Sequence, residues 1–166
     1  MVRRIVAQPD PLSDLEPLIR RVYGYVAYRI GRVPDLDDVT NECFERAVRY
    51  RATYDETRGT PAAWVIGIAR RCVDDWLASR QNGSIPGVDH DVAQVELEDA
   101  VLERLTLEQA IARLSPRDRE LVALRYGADL SARRIAELTD SSVNATEVAL
   151  HRALARLRAE LERERG

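Results

Sequence analysis

Residues 141–161, SSVNATEVALHRALARLRAEL, carry side chains that could contact the bases and phosphates of DNA. Asn144 stands where a helix can begin, and Glu147 follows at the spacing of a capping box. Val143 and Val148 flank that cap in the manner of a hydrophobic staple. Beyond the cap, one helical face is apolar and holds Leu150, Ala153, Leu154, Leu157 and Leu161. The stretch therefore predicts a helix that packs on one side and can enter a groove with the other.

Recognition of duplex DNA requires hydrogen-bonding groups at base edges and cations at phosphates. For the bases, the first turns of this helix offer Asn144, Thr146, Glu147 and His151. For the phosphates, cations lie on the same helix and on the short helix before it: Arg133, Arg134 and Arg152. Glu147 can accept a hydrogen bond from a cytosine amino group, although its capping position explains it without DNA. With an acid in the reading turn, we expect recognition mainly through DNA shape and backbone contacts.

The secondary-structure elements that must position these groups are predicted to be helices. The sequence contains no alternation of apolar and polar residues that would predict a strand. Cap signals mark helix starts at Ser13, Asp35, Thr60, Ser115 and Ser131. The short helix from Ser131 to Leu138, the turn TDSS and the long last helix follow the order of a helix-turn-helix. An ordinary helical hairpin has the same pattern.

The predicted fold class is all-α, with two small helical domains joined by an acidic flexible linker. The domains are residues 10–80 and 106–166, and the linker is 81–105, with QNGSIPG, six acids and one arginine. The net charge of −3 argues against a free-standing, nonspecific nucleic-acid binder. An acidic linker suits either a channel shaped for nucleic acid or a plain solubilising tether.

Side chains for catalysis or metal binding are not grouped in the sequence. Cys43 and Cys72 lie on apolar helix faces without metal-ligand spacing, which predicts buried structural thiols. His90 falls in the linker, and no Gly-rich phosphate loop is present. We therefore expect no enzyme activity, no cofactor and no metal. Without a signal peptide or an apolar run of membrane-spanning length, we expect a cytoplasmic protein with no membrane insertion.

A resemblance to a known family rests on two separate signatures. Region 4 of bacterial sigma factors of the extracytoplasmic-function (ECF) group resembles the run ARLSPRDRELVALRYGADLSARRIAELTDSSVNATEVALHRALARLRAEL. Region 2 of the same group resembles DLDDVTNECFERAVRY, and its following helix resembles TPAAWVIGIARRCVDDWLASR. The signatures stand in the family's order and cover nearly all of residues 10–163. The resemblance implies a factor that binds core RNA polymerase and directs promoter-specific transcription initiation.

The resemblance also implies which residues meet the partners. Region 2 would dock on the β′ clamp coiled coil of the polymerase through an exposed face of Asp38, Asn41, Glu42 and Glu45. It would also handle and melt the −10 element, with Tyr54, Arg58, Arg70, Arg71 and Arg80 at the unpaired strand. Region 4 would sit on the β flap and recognise the −35 element of the promoter DNA with the groups named above. Members of this group are commonly held inactive by an anti-sigma factor, which we expect as a further partner.

Two other functions stay open at this point. A stand-alone helix-turn-helix transcriptional regulator would bind duplex DNA without polymerase, but the net charge and Glu147 disfavour it. An adaptor would bind polymerase or another protein and never open a promoter. The adaptor is favoured by the reading turn, where Glu147, Val148 and Ala149 stand in place of the Lys, Ser or Arg frequent in the family.

Overall fold

The structure, a computed structural model, describes residues 9–81 and 99–166, and every regular element in these residues is helical. A first unit contains three helices: α1 (Leu15–Ile30), α2 (Leu36–Arg49) and α3 (Pro61–Gln81). A second unit contains four: α4 (Asp99–Ala112), α5 (Pro116–Val122), α6 (Ala132–Leu138) and α7 (Val143–Arg165). A 3-10 turn follows α2, and α5 continues as a π-helical turn over Ala123–Gly127. The prediction of an all-α fold with two helical units is confirmed.

Side-chain caps start three helices as predicted, at Thr60, Ser115 and Ser131. Each hydroxyl accepts a hydrogen bond from the backbone N–H three residues later, at 3.2 to 3.3 Å. These bonds satisfy donors that the first turn of a helix leaves unpaired. The predicted cap at Ser13 is wrong by one residue, because Asp14 occupies the N-cap position of α1 and its side chain makes no capping bond.

The start of α7 differs from the prediction. Ser142 is the N-cap: its backbone is extended (φ −80°, ψ 154°), and its Oγ accepts from the N–H of Ala145 at 3.1 Å. Asn144 therefore lies inside the first turn and does not cap the helix. Serine and asparagine cap about equally well, so the residue types alone do not decide between them. With the helix beginning at Val143, the predicted capping box at Glu147 and the hydrophobic staple are both wrong.

The two units share one hydrophobic core, a feature that two domains on a tether do not require. The largest buried cluster takes side chains from both units, among them Val22, Tyr25, Val26, Val65, Ile66, Leu121, Leu124, Ile135 and Leu150. Helix α1 packs on α2 and α3 and also on α5 and its π-helical turn. A second cluster, of α4, α5 and α7, holds Ala110, Ile111, Leu114, Val122, Ala153 and Leu157. The predicted buried thiols, Cys43 and Cys72, lie in the shared core.

Two glycines allow α1 to approach the second unit closely. A Cβ at Gly24 would lie 2.5 Å from the carbonyl oxygen of Gly127, and a Cβ at Gly127 would lie 2.7 Å from the carbonyl oxygen of Gly24. No side chain fits at either position, because the obstructing atoms belong to the backbone and cannot rotate away. Glycine at both positions is therefore a condition for the observed packing.

The last residues of the predicted acidic linker, 81–105, form the start of a helix. Helix α4 begins at Asp99, so residues 99–105 are helical and belong to the second unit. The rest of the predicted flexible linker, 82–98, lies outside the described residues, and so does His90.

None of the described helices has both the length and the apolarity to cross a membrane. In the described part of the chain, no three His, Cys, Asp or Glu side chains come together as a metal site.

Candidate nucleic-acid interface

The outer face of α7 presents most of the predicted base-reading groups to solvent. Asn144, Glu147, His151 and Arg152 are all exposed, on a helix whose opposite side packs on α5 and α6. Thr146 is different: it is only 3% exposed, and its hydroxyl finds no hydrogen-bond partner in the described residues. The prediction that Thr146 reads bases is therefore wrong for this structure, because the helix turns that side chain toward the interior.

The two arginines of α6 are tied to one carboxylate. Nη1 of Arg134 donates to Glu137 at 2.8 Å, and Nε of Arg133 lies 3.4 Å from the same carboxylate. The hydrogen bond from Arg134, followed by the charges of both arginines, lowers the pKa of the Glu137 carboxyl below its usual value. Arg133 is exposed and can exchange this partner for a phosphate.

The loop before α3 is held by Tyr54. This residue is 6% exposed, its hydroxyl donates to the carbonyl oxygen of Gly59 at 3.0 Å, and its ring meets Trp64 edge-on at 5.6 Å. The prediction that Tyr54 contacts a base is corrected: its ring is committed to the loop and positions it. Arg58, on the same loop, is exposed.

The three predicted cations of α3 have different partners. Arg70 donates to the carboxylate of Glu120 at 2.7 Å and to the carbonyl oxygen of Leu138 at 2.5 Å, both in the second unit. Arg80 lies 4.2 Å over the ring of Trp76 and pairs with Asp35. Arg71 is exposed. Arg70 is thus bonded to the second unit and Arg80 to its own unit, whereas Arg71 is accessible to solvent.

Asp35 has a structural role that its position as a helix start did not reveal. Its Oδ2 accepts from Nε1 of Trp76 at 3.0 Å and from the guanidinium of Arg80. These hydrogen bonds, first that of Trp76, lower the pKa of the Asp35 carboxyl below its usual value. The carboxylate therefore fastens the end of α3 to the start of α2.

A cleft of about 730 Å³ lies between the two units and brings predicted −10 and −35 groups together. The first unit lines it with Tyr54, Arg58, Arg70 and Arg71, and the second unit lines it with Arg134, Glu137 and Leu138. Helix α6 lies close to the loop, since a Cβ at Gly59 would be 3.9 Å from Nη1 of Arg134. The wall from the first unit has three arginines and two aspartates, whereas on the second wall Arg134 is neutralised by Glu137. The outer face of α7 lies outside the cleft.

An ionic bridge that the sequence analysis missed closes this arrangement. Glu120 of α5 pairs with Arg70 and also lies 3.5 Å from Nη1 of Arg29, whose side chain is 7% exposed. Arg29 donates to the hydroxyl of Tyr25 at 2.7 Å and pairs with Asp74. Burial raises the pKa of the Tyr25 hydroxyl, so this acceptor stays neutral beside Arg29. The sequence does hold a sign of this bridge: Arg29 follows Val22 by seven residues, which places an arginine on the apolar face of α1.

The predicted polymerase-docking residues share one face of α2. Asp38, Asn41, Glu42 and Glu45 line an open depression of about 680 Å³ together with Arg46, Arg49, Tyr50 and Arg71. Glu42 pairs with Arg46, which also bonds to Asp75 at 2.8 Å. Asp38 and Glu45 are exposed and have no ion-pair partner in the described residues. The structure therefore brings the four residues together on one accessible surface.

Two family models match the chain, one in each unit. Sigma-70 region 2 matches residues 15–83, and Sigma-70 region 4 matches residues 104–157. The first match covers α1 to α3, and the second covers most of α4 and then α5, α6 and most of α7.

Several curated proteins are similar in sequence. The ECF RNA polymerase sigma factor ShbA of Streptomyces griseus is 30% identical over 92% of this chain and 86% of that protein. The ECF RNA polymerase sigma factor SigF of Caulobacter vibrioides is 30% identical over 88% and 82%. The ECF RNA polymerase sigma factor BldN of Streptomyces coelicolor is 34% identical over 80% of this chain, which spans about half of that relative's length (53%).

Two solved structures have a similar fold. The sigma factor RpoE from Bartonella quintana, in complex with the anti-sigma factor NepR, matches with a TM-score of 0.69 at 17% identity, over 87% of this chain and 92% of that one. CnrH, in complex with the cytosolic domain of CnrY, matches with a TM-score of 0.61 at 23% identity, over 88% and 80%. Both matches span the two helical units.

Proposed function

Because the chain belongs to the ECF group of RNA polymerase sigma factors, we propose that it binds bacterial core RNA polymerase in the cytoplasm and directs it to a class of promoters. In this proposal α2 docks on the β′ clamp coiled coil, and the second unit sits on the β flap. The exposed face of α7 recognises the −35 element, and α3 with its preceding loop melts the −10 element. The chain acts by binding and positioning, without catalysis of its own.

The observation that carries the proposal is the pairing of two surfaces on one chain. The face of α2 is acidic and exposed, while the outer face of α7 is the reading face of a helix-turn-helix. A transcription factor that only binds duplex DNA has no need of the first surface. Since α7 carries no arginine or lysine before Arg152, its reading turns contribute little attraction to phosphates, and affinity for the promoter comes from the polymerase, which holds both units on one DNA molecule.

The two units pack against each other in what we call the closed arrangement, and this arrangement bears on how the function is switched on. The −35 and −10 elements lie about 25 base pairs apart, which is roughly 85 Å along the duplex. In the structure, α6 lies beside the loop of the first unit, and Arg70 is bonded to Glu120 and Leu138. The units therefore separate before both elements can be bound at once. We propose that polymerase stabilises the separated form and that an anti-sigma factor stabilises the closed form.

The similar structures support the second part of this proposal. Both are complexes of a sigma factor, one with the anti-sigma factor NepR and the other with the cytosolic domain of CnrY. Their folds match the closed arrangement of this chain over more than four fifths of its length.

A stand-alone regulator remains the second candidate, and one observation favours it. The outer face of α7 is exposed even in the closed arrangement, so duplex binding does not require the units to separate. Tight, sequence-specific binding to duplex DNA in the absence of polymerase would establish this alternative.

Co-elution with core RNA polymerase tests the proposed function. The wild-type chain should co-elute with core polymerase, and Asp38→Arg with Glu45→Arg should abolish co-elution, because both changes reverse charge on the docking face without breaking an observed ion pair. Glu103→Arg with Glu162→Arg is the matched control, with the same change in net charge at exposed positions of α4 and α7. Failure of the wild-type chain to bind core polymerase from its own organism, with no inhibitor present, would contradict the proposal.

A further inference from the structure

Glu147 and Val148 stand side by side on the exposed face of α7, and neither has a structural role there. Val148 is 42% exposed and belongs to neither hydrophobic cluster, whereas its neighbour Ala149 packs against the shared core. Glu147 is exposed and makes no ion pair or side-chain hydrogen bond within residues 9–81 and 99–166.

The start of α7 removes the structural explanations that the sequence suggested for both residues. With Ser142 as the N-cap, the capping-box position falls on Ala145, so Glu147 closes no box. The staple positions fall on Ser141 and Thr146, so Val148 is no part of a staple. A β-branched side chain also lowers helix propensity slightly, so an exposed valine does not stabilise the helix by itself.

We propose that Glu147 and Val148 form the base-reading pair of α7. The Glu147 carboxylate accepts a hydrogen bond from the N4 amino group of a cytosine, the base whose major-groove edge offers a donor and no acceptor. The isopropyl group of Val148 contacts the C5-methyl group of a thymine, the only apolar group on the major-groove edge. The −35 element thus contains a cytosine and a thymine within the few base pairs that the first turns of α7 can reach. This inference rests on the proposed function.

The geometry of the helix places the two side chains at different base pairs. Consecutive residues are displaced by about 1.5 Å along the axis and rotated by about 100° around it, so Glu147 and Val148 leave the helix in different directions and reach different base pairs of one groove. Asn144, one turn earlier and about 6 Å away along the axis, reaches roughly two base pairs further, since base pairs are spaced by about 3.4 Å. Arg152, one turn after Val148, then lies at the edge of the groove, where phosphates are contacted.

An acidic reader also explains how the chain avoids competing DNA. A carboxylate in the groove is repelled by the phosphates at every site, and only a matching amino group offsets that repulsion. Glu147 therefore adds little affinity and considerable selectivity, which suits a protein whose binding energy comes from the polymerase.

The test begins with selection of promoters by holoenzyme, assembled from this chain and core polymerase, out of a DNA library randomised around the −35 position. Each thymine of the selected element is then replaced by deoxyuridine, which removes the C5-methyl group and changes no hydrogen bond. At one thymine, we expect the substitution to weaken binding by wild-type holoenzyme about fourfold, the effect of losing one buried methyl-sized contact.

Variants at the two positions separate the contacts. In Val148→Ser the deoxyuridine effect should vanish, and in Val148→Thr, which has nearly the same shape and keeps one methyl group, it should persist. Glu147→Gln should change the selected base from cytosine to adenine, because a glutamine amide pairs with the N6 and N7 edge of adenine. We expect this change in preference to be about tenfold. Both positions are on the solvent face of α7, so all three variants should fold.

Two outcomes would overturn the inference, and they are distinguishable. If the holoenzyme selects a −35 sequence but deoxyuridine has no effect at any thymine and Glu147→Gln keeps the same preference, then the base-reading pair is wrong and the proposed function stands. If the holoenzyme selects no sequence at the −35 position, both the pair and the proposed −35 recognition fail.

Discussion

Ser142 fixes where α7 begins, because its hydroxyl accepts a hydrogen bond from the N–H of Ala145 in the first turn. The packing of the helix sets which side chains face the solvent: Thr146 precedes the buried Leu150 by about one turn and shares its inward face. The cap is therefore a local property of Ser142, and the reading face is decided by the buried face of α7.

Replacing Ser142 by alanine tests this assignment. Ser142→Ala should lower the free energy of unfolding by about 1 kcal/mol, because the N–H of Ala145 loses its acceptor at the start of the helix. Asn144→Ala is the control and should change stability by no more than a few tenths, since alanine is the better residue inside a helix. Urea unfolding followed by circular dichroism measures both values. A larger loss of stability in Asn144→Ala than in Ser142→Ala would show that Asn144 is the N-cap of α7.

At the scale of the elements, α5 is fastened to α1 and α3 by Glu120. This carboxylate lies between Arg29 and Arg70, and Arg29 is too buried to be compensated by water. Arg119 of the same helix donates to the carbonyl oxygen of Arg29 at 3.2 Å and to carbonyl groups at the end of α4. The polar side of α5 is thus an interface between the units.

We expect Glu120→Gln to lower the free energy of unfolding by about 1.5 kcal/mol, because hydrogen bonds to charged groups in a partly buried site are lost or weakened. Glu108→Gln provides the matched control at the same interface. Glu108 bonds to Arg32 at 2.5 Å, but Arg32 is 48% exposed, against 7% for Arg29, so water can solvate the arginine that loses its partner and the loss should stay below about 0.5 kcal/mol. Equal losses of stability in the two variants would show that the Glu120 bridge contributes no more to the free energy of unfolding than the Glu108 pair does.

At the scale of the whole molecule, the closed arrangement depends on the contact between the backbones of Gly24 and Gly127. Both glycines are distant in sequence from the proposed docking and reading residues, and a methyl group at Gly24 would meet a carbonyl oxygen at 2.5 Å. A substitution there acts as a wedge between the units and leaves the binding surfaces intact.

Gly24→Ala should shift the chain toward the separated form. Small-angle X-ray scattering should give a radius of gyration near 15 Å for the compact wild-type chain of 166 residues and a clearly larger value for the variant. Gly67→Ala is the control, because its added methyl group would make an ordinary contact of 3.6 Å with Leu138 at the same interface. A radius that stays at the wild-type value in Gly24→Ala would mean that the units remain closed when the glycine contact is disturbed.

The sequence by itself determined the helices, their order and the family. Caps at Thr60, Ser115 and Ser131 act within one helical turn, and apolar periodicity reflects which face of each helix is buried, so both are readable from local patterns. The acidic face of α2 followed from the same periodicity, since its four residues are spaced at one helical turn or less.

The tertiary structure alone decided how the two units meet and which candidate residues are accessible. Glu120 bridges Arg29 and Arg70, and Gly24 meets Gly127, across separations of 50 residues or more along the chain. Such contacts depend on the packing of whole helices, and no local pattern encodes them. The interior position of Thr146 follows from the packing of α7 on α5 and α6, which buries the helix face that Thr146 shares with Leu150. The residue types that a surface carries can be predicted from local sequence, whereas the exposure of those residues to a partner depends on the tertiary structure.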